Sequence, residues 1–490
     1  MNLLPWDDPL QFSSKRFYSF GRLWSIIATI SLVTHPRQFI EFKYGRPCMS
    51  YSDPTHLGII ACPGAEAFAN QVIRKLSGIY KHRFMRKAQA IAGRYHITPD
   101  LVIRKINFAN DCNTGMLFLP GDKERYRPPK FKINVRHTYF ANGEIKTEIL
   151  ESIRGRSIYI FQDVENHQLV LFNDGTIQKV LSVNDHIFNL FVAIDAAMQA
   201  GAAEINLVLP IYPYSRQHKK KGREGLTAAR IGKMLESLGV NRIITLDIHS
   251  KEIENAFDRL RMENLHASFQ IIEKLTSIID IAKEDIVVLA PDTGAVDRNK
   301  FYANALQKPL ALLYKERDYS KITKSATETN ISEMRLLGNV SNKVVFMADD
   351  MIGTGGTLIK AMRYLKELGA SKVICAVSLP IFSANSIDDF DAAYKEGLFY
   401  RVIGTNAIYH NELLKKEWYI QSDVTGLFAQ VISLLHHDRS LSSLLDNRDV
   451  VARLIKRKLE STSSSRTSPN QPKDENANED VVPYGAANKP

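Results

Sequence analysis

The feature that most constrains this chain is a repeated pattern. Short unbroken Val/Ile/Leu runs alternate with stretches of helical spacing. The runs are SIYIFQDV at 157–164, INLVLPIY at 205–212, RIITLDI at 242–248, DIVVLAP at 285–291, LALLY at 310–314, KVVFMADD at 343–350 and KVICAVS at 372–378. A strand with one wet face alternates polar and apolar residues, whereas a continuous apolar run is buried on both faces. AIDAAMQAGA, AARIGKMLESLG and LIKAMRYLKELGA, with helical spacing, lie between runs. The pattern predicts an α/β fold built on parallel sheets. There are too many runs for one small sheet, so two α/β domains are expected.

Around this core the chain carries additions. Residues 1–55 hold no readable motif and form an N-terminal extension. The first domain is expected over 56–263, interrupted by a basic insertion at about 85–130 and by a hairpin insertion at about 165–180 around Asn173-Asp174-Gly175. The second is expected over 264–440, followed by a C-terminal helix and a Ser/Pro/Asn-rich, disordered tail within 441–490.

Charge belongs to the additions. The net charge is +11, but residues 81–136 hold 13 basic against 4 acidic residues, and the chain outside 1–55 and 81–136 is balanced. A local excess fits a solvated basic insertion or an anionic partner. No recognisable binding module accompanies it, so nucleic acid is not expected. The 4 cysteines show no CxxC spacing, which argues against a zinc or disulfide framework and fits a reducing compartment. The apolar run at 23–33 falls short of the roughly 20 residues a bilayer requires. No small-x-small cleavage pattern follows it. A cytoplasmic protein with no membrane segment is expected.

In open parallel sheets, ligands bind outside the carboxyl ends of strands. The clearest stretch there is VVFMADDMIGTGGTLIKAM. Asp349 and Asp350 end a strand, and Gly353-Thr354-Gly355-Gly356-Thr357 opens a helix. Glycines let backbone N–H groups approach a phosphate, and the helix N-terminus adds positive potential. Paired carboxylates suit hydroxyl groups or a metal ion. The combination suggests a sugar phosphate. A second stretch, PYSRQHKKKGREGLTA, brings Arg216 and Gln217 to a strand end, where guanidinium groups grip phosphate in pairs of hydrogen bonds. Asp247 and His249 in LDIHS fit a divalent ion or a plain hydrogen bond. Asp292 closes a strand before a glycine turn, and Lys315 and Arg317 lie on one side of another strand end. Asn142-Gly143 signals a tight turn beside Phe140 and Glu144.

Taken in order, these stretches resemble ribose-phosphate pyrophosphokinase, also called phosphoribosyl pyrophosphate synthetase. FANGE is similar to that family's adenine-side loop, PYSRQHKKKGREGLTA to its nucleotide loop and LDIHS to its metal signature; PDTG, YKER and DDMIGTGGT follow in family order. The resemblance implies two phosphoribosyltransferase-type (type I) domains with the active site between them. It implies that Phe140, Asn142, Gly143, Glu144, Arg216 and Gln217 hold ATP. His249, Asp292 and Asp247 would form the metal side for Mg2+, and Lys315 and Arg317 the catalytic pair. Asp349, Asp350, Gly353, Thr354, Gly355, Gly356 and Thr357 would bind ribose 5-phosphate. The implied reaction moves the pyrophosphoryl group of MgATP to the anomeric hydroxyl of ribose 5-phosphate, in a homo-oligomer.

The sequence departs from the family pattern at three informative positions. Gly353 replaces a usual acid, His218 a usual Asp and Glu316 a usual Arg. With the added segments, Gly353 and Glu316 motivate a second reading, a catalytically weak regulatory or scaffolding homologue. A phosphoribosyltransferase is a third.

Overall fold

The computed structural model describes residues 56–105, 129–220, 222–317, 331–446 and 448–464. The first lobe opens with β1 (Leu57–Ala61), a long helix α1 (Glu66–Tyr95) and a short helix α2 (Pro99–Lys105). A hairpin, β2 (Val135–Tyr139) and β3 (Ile145–Ile149), precedes β4 (Ser157–Phe161). A second hairpin, β5 (Leu169–Phe172) and β6 (Ile177–Val180), leads into α3 (Val183–Gln199). β7 (Glu204–Val208), α4 (Thr227–Ser237), β8 (Arg242–Leu246) and β9 (Arg261–Leu265) complete the lobe. Its sheet runs β1-β4-β7-β8-β9, all parallel.

The second lobe repeats the logic. In chain order it contains α5 (Ser268–Ile278), β10 (Ile286–Ala290), α6 (Val296–Leu306), β11 (Leu310–Arg317), β12 (Ile331–Leu337) and β13 (Val344–Ile352). Then come α7 (Gly356–Glu367), β14 (Lys372–Pro380), α8 (Ser386–Lys395), β15 (Arg401–Thr405), β16 (Tyr419–Ser422) and α9 (Thr425–His436). The sheet order is β12-β11-β10-β13-β14-β15-β16, and only β12 runs antiparallel to its neighbour. β4 and β10 are buried at every residue, as continuous apolar runs require. Each fully buried Val, Leu or Ile contributes about 1.5–3 kcal/mol.

The expected α/β class with parallel central sheets is what the chain adopts. β9, β12 and β16 escape the sequence pattern because they are sheet edges and carry polar residues. In β9, Glu263 pairs with Arg242 at 3.1 Å instead of packing inward. The 165–180 segment does form a hairpin. Asn173 and Asp174 take the left-handed φ values of 52° and 56° that its turn requires. Asn173 also pins the neighbouring hairpin, accepting from the Tyr139 N–H at 2.7 Å and donating to the Tyr139 carbonyl at 3.2 Å.

One hydrophobic core runs through both lobes. Phe68 on α1 packs edge-on against Phe428 on α9, with ring centroids 5.2 Å apart, and against Phe161 of β4. A second core, with Phe382, Phe390, Phe399 and Trp418, fills the other face of the seven-stranded sheet. The basic insertion, expected from about residue 85, does not begin at a helix end: α1 passes that point unbroken. Its first part is buried through Phe68, Val72, Leu76 and Tyr80, and its later part packs on α2 through Ala88, Ala92 and Val102. The last helix, α10 (Arg448–Ser464), extends helical structure into the Ser-rich start of the expected tail. The extension 1–55, most of the GDKERYRPPKFK stretch and the rest of the tail lie outside the described residues. Among the described residues, no helix is long and apolar enough to cross a membrane.

The lobes also touch through Asp163, which is buried and accepts N–H groups from Glu165 at 3.1 Å and from Tyr409 of the second lobe at 3.3 Å. Burial pushes its carboxyl up to about 7. An unfolded Asp ionises near pH 4. As pH rises through 4 to 7, the folded state therefore keeps a proton the unfolded state has lost, and stability falls. Asp163→Asn removes this dependence. Thermal melts should show the variant gaining stability relative to the parent as pH is raised from 4 to 8. A pH-independent difference would contradict the assignment.

Candidate active site

Three loops of the first and second lobes converge at the carboxyl ends of their strands. After β8, the chain turns sharply at Asp247 (φ 43°) and presents His249. His249 Nδ1 lies 2.5 Å from Asp350 Oδ2, near the end of β13 in the other sheet. The loop after β7 turns at Tyr214 (φ 56°) and is anchored by the buried Tyr212 hydroxyl, which donates to the Ala228 carbonyl at 2.8 Å. It delivers Arg216, whose Nε donates to Met351 Sδ at 2.9 Å, again on β13. Arg216, His249, Asp349, Asp350 and Gly353, read separately from the sequence, thus share one site at the junction of the lobes.

Electrostatics hold that junction. Asp247 is buried. Its Oδ1 faces His266 Nδ1 at 2.8 Å, and its Oδ2 accepts from the Ala267 N–H at 3.1 Å and the Ser378 hydroxyl at 2.5 Å. Burial alone would raise its pKa, but the His266 hydrogen bond and the charge of Arg298 hold it well below the usual carboxylate range. Arg298 is half-buried on the first turn of α6. Desolvation opposes its charge, and Asp247, Asp350 and Asp349 favour it strongly enough to raise its pKa. Asp350 is likewise held low, against burial, by His249 and then Arg298. Asp349 is pushed up by burial and by the neighbouring Asp350 charge. Sequence reasoning missed Arg298, His266 and Ser378. Two adjacent acids at a strand end, one of them buried, demand a nearby cation, and that demand was the available signal for Arg298.

The glycine loop before α7 is built as its glycines require. Gly355 is the residue before α7, with φ at 72°. A side chain there would place its β-carbon 2.3 Å from Phe390 Cε2, inside the second core. Thr354, Gly356 and Thr357 are exposed around the free N–H groups of the helix start. Asp292 caps the 293–295 turn, accepting from the Ala295 N–H at 3.0 Å through Oδ1. Gln217 is exposed in the Arg216 loop. His218 is set edge-on to His249, ring centroids 5.2 Å apart.

Two groups of expected residues stand apart. In the Phe140–Glu144 turn, Gly143 supplies φ 93°, Glu144 N–H donates to Asn142 Oδ1 at 3.2 Å, and Phe140 is exposed. Among the described residues its hydrogen bonds stay within the hairpin. Lys315 and Arg317 end β11, paired in register with Met334 and Ile331, and their side chains lie outside the described residues.

Comparison with known proteins bears on this arrangement. Residues 130–239 match the N-terminal domain of ribose phosphate pyrophosphokinase, and residues 259–401 match the phosphoribosyl transferase domain. Ribose-phosphate pyrophosphokinase 1 of Listeria monocytogenes is 33% identical over 314 residues, covering 63% of this chain and 88% of that protein. The chain belongs to the ribose-phosphate pyrophosphokinase family. The Streptococcus pyogenes member is 32% identical over 308 residues, with the same coverage. The crystal structure of phosphoribosylpyrophosphate synthetase from Mycobacterium smegmatis shares the fold, with a TM-score of 0.55 at 24% identity, covering 78% of this chain and 99% of that one. The family core is therefore present nearly whole, and the surplus length lies in the additions.

Gly355→Ala should destabilise the protein by about 2–4 kcal/mol in chemical denaturation, combining a left-handed φ with a core clash. A loss below about 0.5 kcal/mol would mean that Phe390 moves aside freely.

Proposed function

We propose that this chain transfers the pyrophosphoryl group of MgATP to the anomeric hydroxyl of ribose 5-phosphate, releasing AMP and 5-phosphoribosyl 1-pyrophosphate. The observation that carries the proposal is the His249–Asp350 contact, which joins the loop expected on the metal side to the carboxylates expected on the sugar side. A reaction between two substrates needs their sites within bonding distance, and this contact fixes the two loops side by side.

The roles follow from the chemistry of each group. Asp349 and Asp350 accept the ribose hydroxyls, and Thr354, Gly355, Gly356 and Thr357 enclose the 5-phosphate with N–H and hydroxyl donors. Arg216 and Gln217 grip the nucleotide, whose base is met by Phe140, Asn142, Gly143 and Glu144. Lys315 and Arg317, at the end of β11, bring fixed positive charge to the transferred group. Asp247 is better read as a support than as a ligand, because both its oxygens already accept protein hydrogen bonds.

The donor set fits magnesium. Among the described residues no three His, Cys, Asp or Glu gather into a metal cage. Magnesium usually takes one or two carboxylates and completes its shell with water and phosphate oxygens. Among the described residues no hydrogen bond engages Asp292 Oδ2 or His249 Nε2, which leaves both for the nucleotide side. Bound magnesium would neutralise phosphate oxygens and make the β-phosphorus easier to attack. Phe140 is exposed and, among the described residues, its turn is not bonded to the Arg216 loop, so we include a homo-oligomer, in which a second copy can cover that turn.

The test is to mix the full-length protein with ATP, magnesium and ribose 5-phosphate and to measure AMP. Release should require the sugar and stop on addition of EDTA. AMP formed equally without the sugar would reject the proposal. Lys315→Ala should lower kcat by about 10²–10³ while leaving the melting temperature unchanged. Full turnover in that variant would remove Lys315 from the mechanism.

A further inference from the structure

Gly353 occupies a position whose backbone does not need glycine. Unlike Gly355, it has no positive φ. The three atoms nearest to a β-carbon placed there all belong to Arg216: Nη2 at 3.2 Å, Nη1 at 3.3 Å and Cζ at 3.7 Å. Arg216 comes from the first lobe and is exposed, so its flexible end has room to shift a few tenths of an ångström. What a side chain at 353 would meet is therefore a cation, and the identity of residue 353 is an electrostatic choice rather than a steric one.

With glycine in place, the guanidinium rests on neutral groups. Its Nε bonds a thioether, Met351 Sδ, and its two terminal nitrogens lie over a residue with no side chain. Among the described residues no carboxylate forms an ion pair with it. The neighbouring acids are engaged elsewhere, Asp350 with His249 and Asp349 with the Asp350 N–H at 2.9 Å. A carboxylate at 353 would stand within ion-pair reach of Arg216 and close a salt bridge across the lobes. That bridge would compete with any anion for the four N–H donors of the terminal nitrogens.

We infer that Gly353 is a specificity-determining position that keeps Arg216 unneutralised, so that the polyphosphate of the nucleotide takes the place an acid would otherwise fill. This rests on the reading of Arg216 as a nucleotide-holding group. It assigns the loss of the acid to the nucleotide side of the site, not to the sugar side on which residue 353 lies in the chain. The residue at 353 then sets how strongly the first lobe holds a di- or triphosphate, and an acid there makes the protein its own competitor.

The experiment measures equilibrium binding of MgADP and of a non-hydrolysable MgATP analogue to the full-length protein, without turnover. Gly353→Asp should weaken both by about two- to fivefold, the effect of a partly exposed ion pair. Gly353→Asn, of equal size and no charge, should weaken them distinctly less. The gap between these variants should narrow in high salt, because the competing bridge is partly exposed. In an Arg216→Ala background, Gly353→Asp should no longer weaken binding. Equal losses for Asp and Asn, or a loss that persists without Arg216, would overturn the inference while leaving the nucleotide site standing. Parent protein that binds neither nucleotide would overturn both.

Discussion

A single half-buried guanidinium governs how the two lobes meet. Arg298 stands among Asp247, Asp349 and Asp350, one from the first lobe and two from the second. Moving such groups out of water costs several kcal/mol each unless they compensate one another. The set is complete only when the lobes are docked, because Asp247 comes from the first lobe and Arg298, Asp349 and Asp350 from the second. One terminal nitrogen, Arg298 Nη1, still lacks a hydrogen-bond partner among the described residues. The network is therefore a condition on assembly: the sheets must approach in one relative position or leave charge stranded.

That condition explains why the clustered acids and His249 sit where they do. β13 lies centrally in its sheet, so its carboxyl end is surrounded by neighbouring loops. Asp350 is low in pKa and faces His249, whereas Asp349, one residue earlier, is raised. Two adjacent acids thus take opposite protonation tendencies from their surroundings. The glycine loop that follows is fixed by packing rather than by charge, since Gly355 abuts the Phe390 cluster. One strand end accordingly carries an electrostatic half and a steric half, separated by Gly353.

Much of this was legible in the sequence, for identifiable reasons. Strands buried on both faces announce themselves as apolar runs, so β4, β7, β8, β10, β13 and β14 were readable. The order of their terminal motifs pointed to the family. What stayed hidden depends on partners distant in sequence. His266 follows an edge strand with no apolar signature, and Ser378 lies within an apolar run. Each acquires a role only because Asp247 is brought to it by the fold. The same holds for Arg216 and Gly353, 137 residues apart, whose proximity no local pattern encodes.

The long helix α1 has a consequence of a mechanical kind. A 30-residue helix spans about 45 Å, and this one is seated in the shared core at one end and bears the start of the basic insertion at the other. Midway, Tyr80 and Arg83 grip His437 and Ser433 at the end of α9. The insertion is thus mounted on a stiff shaft, not hung on a hinge. Torque applied at Ala92 is delivered to α9 and the second lobe, and cutting the insertion out at residue 85 would sever the shaft.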